Sequence, residues 1–300
     1  MTKLNTAILG ASGYTGADLI RLAVAHPSIN ITSLVANTHA GKSIGEVFPH
    51  LSVYDLPKLI KIDAVDWSKI DVAFCAMPHG ASEEIVKTIP ENIKIVDLSA
   101  DYRLKDSNTY AEWYGRQHTS TDLLLEAVYG LTEHNRDDIK TTRIVACPGC
   151  YPTASLLATL PLVNEGLINE DDLIIDAKSG VSGAGRSLKE GTLFCEAGEG
   201  MSPYGIASHR HAPEIEQELG KAVGHDLTVN FTPHLIPMSR GELVTIYAKL
   251  KSGKTISEAR NSLLAAYQNE QFVHVLEEGV APKTQNVRGS NHCQMNIFKD

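Results

Sequence analysis

The sequence predicts an α/β fold in two parts: a doubly wound parallel sheet over residues 1–149, then a second α+β unit with a mixed or antiparallel sheet over 150–300. Three observations predict it. Short apolar runs alternate with helical patterns through the first half. Near residue 150 the texture changes to strand candidates without short α/β repeats. A length of 300 residues also exceeds what one compact core usually needs.

Taken in order, the strand candidates of the first half are residues 6–9, 31–36, 71–76, 93–98 and 143–146, with helical patterns at 15–25 and 81–88. The second half offers a helix at 153–164, a strand at 173–178 and a Gly/Ser-rich stretch over 179–205. Strands at 226–232 and 242–250, a helix at 257–268 and a last strand at 291–298 follow.

The formal charge of -9, with 27 basic against 36 acidic residues, leaves no broad electrostatic footprint for nucleic acid or an anionic membrane. A small anionic substrate therefore needs a local cationic pocket. The first ten residues hold one Lys and a four-residue apolar stretch, too short for a signal peptide, and no run approaches membrane-spanning length, so a cytoplasmic location is expected. Five cysteines, odd in number and sparse, argue against a disulfide framework and leave at least one thiol for chemistry.

The segment Gly10-Ala11-Ser12-Gly13-Tyr14-Thr15-Gly16 places a small-residue turn between an apolar strand and an amphipathic helix. Backbone N–H groups at such a helix start point outward, and glycine lets a pyrophosphate approach them. The spacing is Gly-x-x-Gly-x-x-Gly rather than Gly-x-Gly-x-x-Gly. After the second strand, where an NAD enzyme usually carries an acid for the ribose hydroxyls, the chain reads Ala36-Asn37-Thr38-His-Ala-Gly-Lys42-Ser43. Asn37, Thr38, Lys42 and Ser43 suit a 2′-phosphate instead, which favours NADP. Gly41-Lys42-Ser43 is not an ATP-binding loop, because Ala36 stands where its upstream glycine belongs.

Cys147-Pro-Gly-Cys150-Tyr-Pro152-Thr153 runs from a strand through a Pro-Gly turn into a helix, with a proline its first turn tolerates. Cys150 is thereby expected near the positive end of a helix, which favours the nucleophilic thiolate. The Cys-x-x-Cys spacing also fits a redox disulfide or half a zinc site, and His209 and His211 exist as further ligands. The strand-to-helix setting fits catalysis better, and no metal is expected. Ser208-His209-Arg210-His211 is the densest basic cluster of the second half and precedes a helical pattern, which makes His211 the candidate acid/base.

Together these motifs resemble the N-acetyl-gamma-glutamyl-phosphate reductase family over nearly the whole chain. Pro148-Gly-Cys150-Tyr-Pro-Thr153 matches its active-cysteine signature. It is supported by Gly10 to Gly16, Ser99-Ala-Asp-Tyr-Arg103, Ser179-Gly-Val-Ser-Gly-Ala-Gly-Arg186, His209-Arg-His211 and Pro233-His-Leu-Ile-Pro237. The resemblance implies a Rossmann-like NADP-binding domain, a catalytic and oligomerisation domain, and a homo-oligomer, tetramer or dimer. It further implies Cys150 as nucleophile and His211 as acid/base, acting on a small acyl phosphate with release of phosphate. Arg103, with His209 and Arg210, is implied to bind substrate, and Ser182 and Gly183 to lie beside the nicotinamide. The family continues past the position of Asp300 with a strand and a helix that return to the first domain, so a shortened chain is expected. Two other readings remain: a reductase of a related acyl phosphate of aminoadipyl or aspartyl type, and a non-catalytic NADP-binding regulator on the same fold.

Overall fold

Thr6, Ala7, Ile8 and Leu9 are all fully buried, as befits a strand covered on both faces of a parallel sheet. The computed structural model describes residues 3–299. The chain folds as two compact units, one running through Pro148 and the other from Gly149 onward.

The first unit is built on β1 (Leu4–Leu9), β2 (Ile29–Val35), β3 (Leu59–Ile60), β4 (Val72–Cys75), β5 (Lys94–Asp97), β6 (Val128–Tyr129) and β7 (Ile144–Ala146). Every pairing is parallel, in the order β3-β2-β1-β4-β5-β7-β6. The pleat sends alternate residues of β1 to opposite faces. Ala7 and Leu9 join Ala73, Cys75, Ile95 and Ile144 in one core, while Ile8 packs with Ala17, Ile20, Leu34 and Leu59 in the other. The strand order reverses between β1 and β4, which is where open α/β sheets place their ligands, beyond the carboxyl ends of the strands.

The expected strands and helices of this unit occur with ends within two residues of those read from the sequence. The short edge strands β3 and β6 and the helices Ser107–Tyr114 and Thr121–Glu126 carry too little periodicity to have been seen.

The second unit holds a four-stranded sheet of β8 (Ile174–Gly180), β9 (Ser202–Pro203), β10 (Asn230–Ile236) and β11 (Glu242–Tyr247), in the order β11-β8-β10-β9. Its centre is parallel, β8 with β10, and its flanks are antiparallel, so the sheet is mixed. The parallel pair is possible because the helix Ala212–Val223 lies in the crossover between β8 and β10. β10 lies further along the chain than the expected 226–232, and Pro233 sits inside it. The Pro233 carbonyl accepts from Tyr204 N–H at 3.0 Å, on the side of the two-residue edge strand β9. The missing N–H faces the same side, where a short edge strand asks least of the ladder.

The helices Cys150–Asn164 and Ile256–Tyr267 are joined by Tyr267, whose hydroxyl donates to the Leu157 carbonyl at 2.6 Å. The last expected strand is reduced to β13 (Cys293–Met295), paired in parallel with β12 (Val273–Val275) apart from the main sheet.

Gly10 turns at φ +80, and a Cβ there would stand 2.1 Å from the Ala76 carbonyl oxygen. A Cβ on Gly16 would meet the Gly10 oxygen at 2.4 Å and Ala11 Cα at 2.8 Å, both rigid backbone. Gly16→Ala should therefore destabilise the first unit by about 1–3 kcal/mol. Both tryptophans, Trp67 and Trp113, lie in that unit, so urea denaturation followed by their fluorescence reads the loss directly. An unchanged midpoint would show that the turn has room for a methyl group.

Candidate active site

Cys150 is the first residue of a 15-residue helix whose cap, Gly149, has extended backbone and offers no side chain. Pro152 falls in the first turn, where an absent N–H costs nothing. The exposed Cys150 sulfur thus sits at the positive end of a long helix dipole. Gly149 N–H donates at 2.7 Å to Glu214, a buried carboxylate in the first turn of the Ala212–Val223 helix.

His211 caps that same helix. A Cβ on Gly149 would lie 2.3 Å from His211 Nε2, so the imidazole rests directly against the residue preceding Cys150. Glycine is required there by contact, not by φ, which is -64°. His209 holds His211 from behind: its Nδ1 accepts the His211 backbone N–H at 3.1 Å, and the two ring centroids are 4.7 Å apart. Rings of Tyr151, Tyr204 and Phe231 surround His209 with centroids at 5.4–5.8 Å. Burial, helped by the neighbouring Arg210, pushes the His209 imidazole down to about 4, so it is neutral in the physiological range. Arg210 itself is exposed.

A third element reaches this region from the end of β8. Val181 and Ser182 donate backbone N–H bonds to the Met238 and Ser239 carbonyls at 2.9 and 3.1 Å, and Gly180 to Gly241 at 3.0 Å. This clamp fixes Ser182 and Gly183 in a short 3-10 turn, with Gly183 against Ser179 Oγ. The Tyr151 and Tyr204 hydroxyls meet at 3.0 Å, and Ser179 hydrogen-bonds into the same pair. Directly after Gly241, Glu242 opens β11 opposite Ser179. Its carboxyl hydrogen-bonds the Cys150 side chain, while burial, the larger effect, raises it to about 7.

In the first unit the glycine turn leads into the helix Tyr14–Ala23, which has no side-chain cap and no acid in its first turn. Gly10 and Gly16 leave no space where side chains would stand, and Ala11 is buried behind the turn. An uncapped helix start with glycine-lined backbone fits a dinucleotide pyrophosphate. Asn37 and Thr38 lie exposed on a 3-10 turn beyond β2, and Lys42 is exposed beside them. Ser43 is a helix cap: it accepts from Glu46 N–H at 3.3 Å in a capping box.

Arg103 is buried, 6% exposed. Its Nε donates to the Cys147 carbonyl at 2.7 Å and an Nη to Leu98 at 3.1 Å. The segment leading to it is pinned by Asp101, which accepts from Gly80 N–H at 2.8 Å and from the Tyr110 hydroxyl at 2.9 Å. Cys147 differs sharply from Cys150. Burial, with Asp97 adding, pushes its thiol up to about 12. All five cysteines are free, and no group of three His, Cys, Asp or Glu side chains among the described residues could hold a metal.

Within the second unit the structure thus gathers Cys150, His209, His211, Ser182 and Gly183, and adds Glu214, Glu242, Tyr151 and Tyr204, which sequence reasoning missed. Glu214 lies three residues after His211, a helical spacing that was there to be read. Glu242 heads the inward set Glu242, Val244 and Ile246, so a period-2 reading shows an acid on an apolar face.

The ordinary value for Glu242 is 4.5 against about 7 in the folded chain. Between these limits the folded chain holds more protons than the unfolded one, so stability falls as pH rises through the window. His209, lowered from 6.5 to about 4, acts oppositely, losing stability as pH falls through that window. The His209 contribution cancels when a Glu242 variant is compared with the parent. The drop in melting temperature between pH 5 and pH 8 should be smaller in Glu242→Gln than in wild type by calorimetry. Equal drops would contradict a buried, ionising Glu242.

Residues 5–142 match the family model described as semialdehyde dehydrogenase, NAD binding domain, and residues 150–300 the one described as semialdehyde dehydrogenase, dimerisation domain. An N-acetyl-gamma-glutamyl-phosphate reductase of Rhodospirillum rubrum is 52% identical, over 99% of this chain and 86% of that protein. A probable chloroplastic N-acetyl-gamma-glutamyl-phosphate reductase of Arabidopsis thaliana is 50% identical, over 99% and 74%. Aspartate semialdehyde dehydrogenase II of Vibrio cholerae, solved in complex with ASA, shares the fold with a TM-score of 0.72 at 14% identity, over 98% of this chain and 87% of that one. Aspartate semialdehyde dehydrogenase of Candida albicans, solved with NADP, gives a TM-score of 0.68 at 16% identity, over 96% and 87%. With half its residues identical over almost its entire length, and both domain models matched in order, the chain belongs to the N-acetyl-gamma-glutamyl-phosphate reductase family of the semialdehyde dehydrogenases.

Proposed function

We propose that the chain reduces N-acetyl-gamma-glutamyl phosphate to N-acetylglutamate semialdehyde with release of phosphate, using NADPH. The observation that carries this is Cys150 at a helix N-terminus with the His211 ring held against Gly149. It stands in a chain half identical to reductases of that name. The Cys150 sulfur attacks the acyl carbon, the bond to the phosphate oxygen breaks, and phosphate departs with the electron pair, leaving a thioester. The helix dipole stabilises the negative charge that develops on the sulfur as it gives up its proton and attacks, and again when it leaves. NADPH, when bound, supplies a hydride to the thioester carbon. His211 donates a proton to the resulting oxygen and takes it back as the carbon–sulfur bond breaks and the aldehyde forms. His209 keeps His211 in place, and Ser182 and Gly183 border the nicotinamide.

On the first unit, residues 10–16 bind the pyrophosphate, and Asn37, Thr38 and Lys42 receive the 2′-phosphate, with Ser43 fixing their loop. Arg103 contacts the phosphoryl group, for which its planar fork is suited, and Arg210 adds positive charge for the substrate. The enzyme works in this reading as a cytoplasmic homo-oligomer. Five free thiols favour a reducing compartment, and no helix among the described residues is long and apolar enough to cross a membrane. Leu188, Phe194 and Ile206, at 89%, 90% and 61% exposure, favour burial against another copy.

Phosphate-dependent reduction of NADP with the semialdehyde tests the activity, and its absence would refute the reading. Cys150→Ser should abolish turnover while leaving NADPH binding intact, and full activity in that variant would overturn the mechanism. His211→Asn should cut turnover roughly 10²- to 10⁴-fold. By fluorescence titration NADPH should bind at least about tenfold tighter than NADH, about 1.4 kcal/mol. Equal affinities would refute the assignment of the residues after β2.

A further inference from the structure

The reaction above moves protons at two atoms, the Cys150 sulfur and the substrate oxygen, and two groups reach Cys150 from different elements. His211 comes from the start of the Ala212–Val223 helix and rests on Gly149. Glu242 comes from the first position of β11 and shares a hydrogen bond with the Cys150 side chain. Its other features are those of a group held for chemistry. Oε2 is buried without a hydrogen-bond partner. The titratable groups facing it are Cys150 and Tyr151 from one helix and Tyr204 from the loop before His209. Burial pushes both tyrosines above their ordinary value, Tyr151 well above it, so they remain neutral and do not compete for the proton. The Gly180–Gly241 and Val181–Met238 backbone bonds fix the start of β11 and hence the position of the carboxyl.

We propose that Glu242 is a second catalytic residue, the acceptor of the Cys150 thiol proton on attack and its donor when the sulfur leaves. On attack the S–H proton passes to the Glu242 carboxylate, the sulfur pair forms the bond to the acyl carbon, and phosphate departs with the pair of the broken carbon–oxygen bond. When the thiohemiacetal collapses, the carbon–sulfur pair returns to sulfur and Glu242 gives the proton back, while His211 takes the hydroxyl proton. The site ends each cycle with the thiol and carboxylate it began with. Burial raises the carboxyl to about 7, which matches its affinity for protons to the work of exchanging one near neutral pH.

The inference rests on Cys150 as the nucleophile, and the test separates the two. The full chain is treated with iodoacetamide across pH 5–10, the label on Cys150 is quantified by mass spectrometry, and turnover is followed in parallel. In Glu242→Gln the pH of half-maximal labelling should fall by about one unit, because a carboxylate no longer opposes the thiolate. Turnover at pH 7 should nevertheless fall at least about tenfold, because the proton has lost its acceptor. Glu242→Asp, which keeps a carboxylate, should recover part of the turnover. An unmoved labelling midpoint, turnover equal to or above that of the parent, or equal impairment in the Gln and Asp variants would each overturn the role of Glu242. Label on Cys150 that leaves turnover intact would instead remove the nucleophile, and with it the reading on which this inference stands.

Discussion

Gly149 is where the second unit is fastened together. Its N–H is bonded to Glu214, its missing side chain is replaced by the His211 ring, and the helix it caps begins with Cys150. Two helices separated by some sixty residues of sequence are thereby joined at their N-termini, with the sulfur at one start and the imidazole at the other. A methyl group at Gly149 would displace the ring, since 2.3 Å is well inside contact distance. The aromatic group around His209 supports the same contact from the other side.

The Cys-x-x-Cys pair shows how local environment divides identical side chains. Cys147 closes the first unit beside the buried Asp97, where an anion is opposed by desolvation and by like charge. Cys150 opens a helix, where the peptide dipoles point their positive end at the sulfur. Three residues of chain separate a thiol held protonated from one at the positive end of a helix dipole. The Pro-Gly between them makes the change abrupt: the strand ends at Ala146 and the helix starts at Cys150.

Glu242 is treated differently from the buried carboxyls of the first unit. In the first unit Asp97 accepts from the Ser82 and Ser99 hydroxyls at 2.6 and 2.7 Å, and Asp101 is satisfied by backbone and by Tyr110. These acids organise the segment that carries Arg103, and hydrogen bonds offset part of the cost of their burial, which still raises Asp97 to about 6. Glu242 has the Cys150 side chain and an Oε2 with no partner. A carboxyl oxygen buried without a partner lowers the stability of the fold around it.

Much of this was legible in the sequence. The parallel sheet followed from apolar runs alternating with helical patterns, because a strand covered on both faces is mostly apolar, as Ala7, Ile8 and Leu9 of β1 are. The glycine turn, Cys150 and the His209–His211 cluster followed from local chemistry: a helix start, a proline in its first turn, two histidines beside a helical pattern. What only the tertiary structure decided is which distant residues meet. That His211 rests on Gly149, that Glu242 reaches Cys150, and that Tyr151 and Tyr204 share a hydrogen bond depend on sheet register and helix packing between segments far apart in sequence. The strand through Pro233 belongs there too, since a proline is tolerated only on the side of a strand where the ladder is short, and the sequence does not say which side that is. Periodicity and capping act over a few residues, whereas burial and long-range contact are properties of the assembled fold.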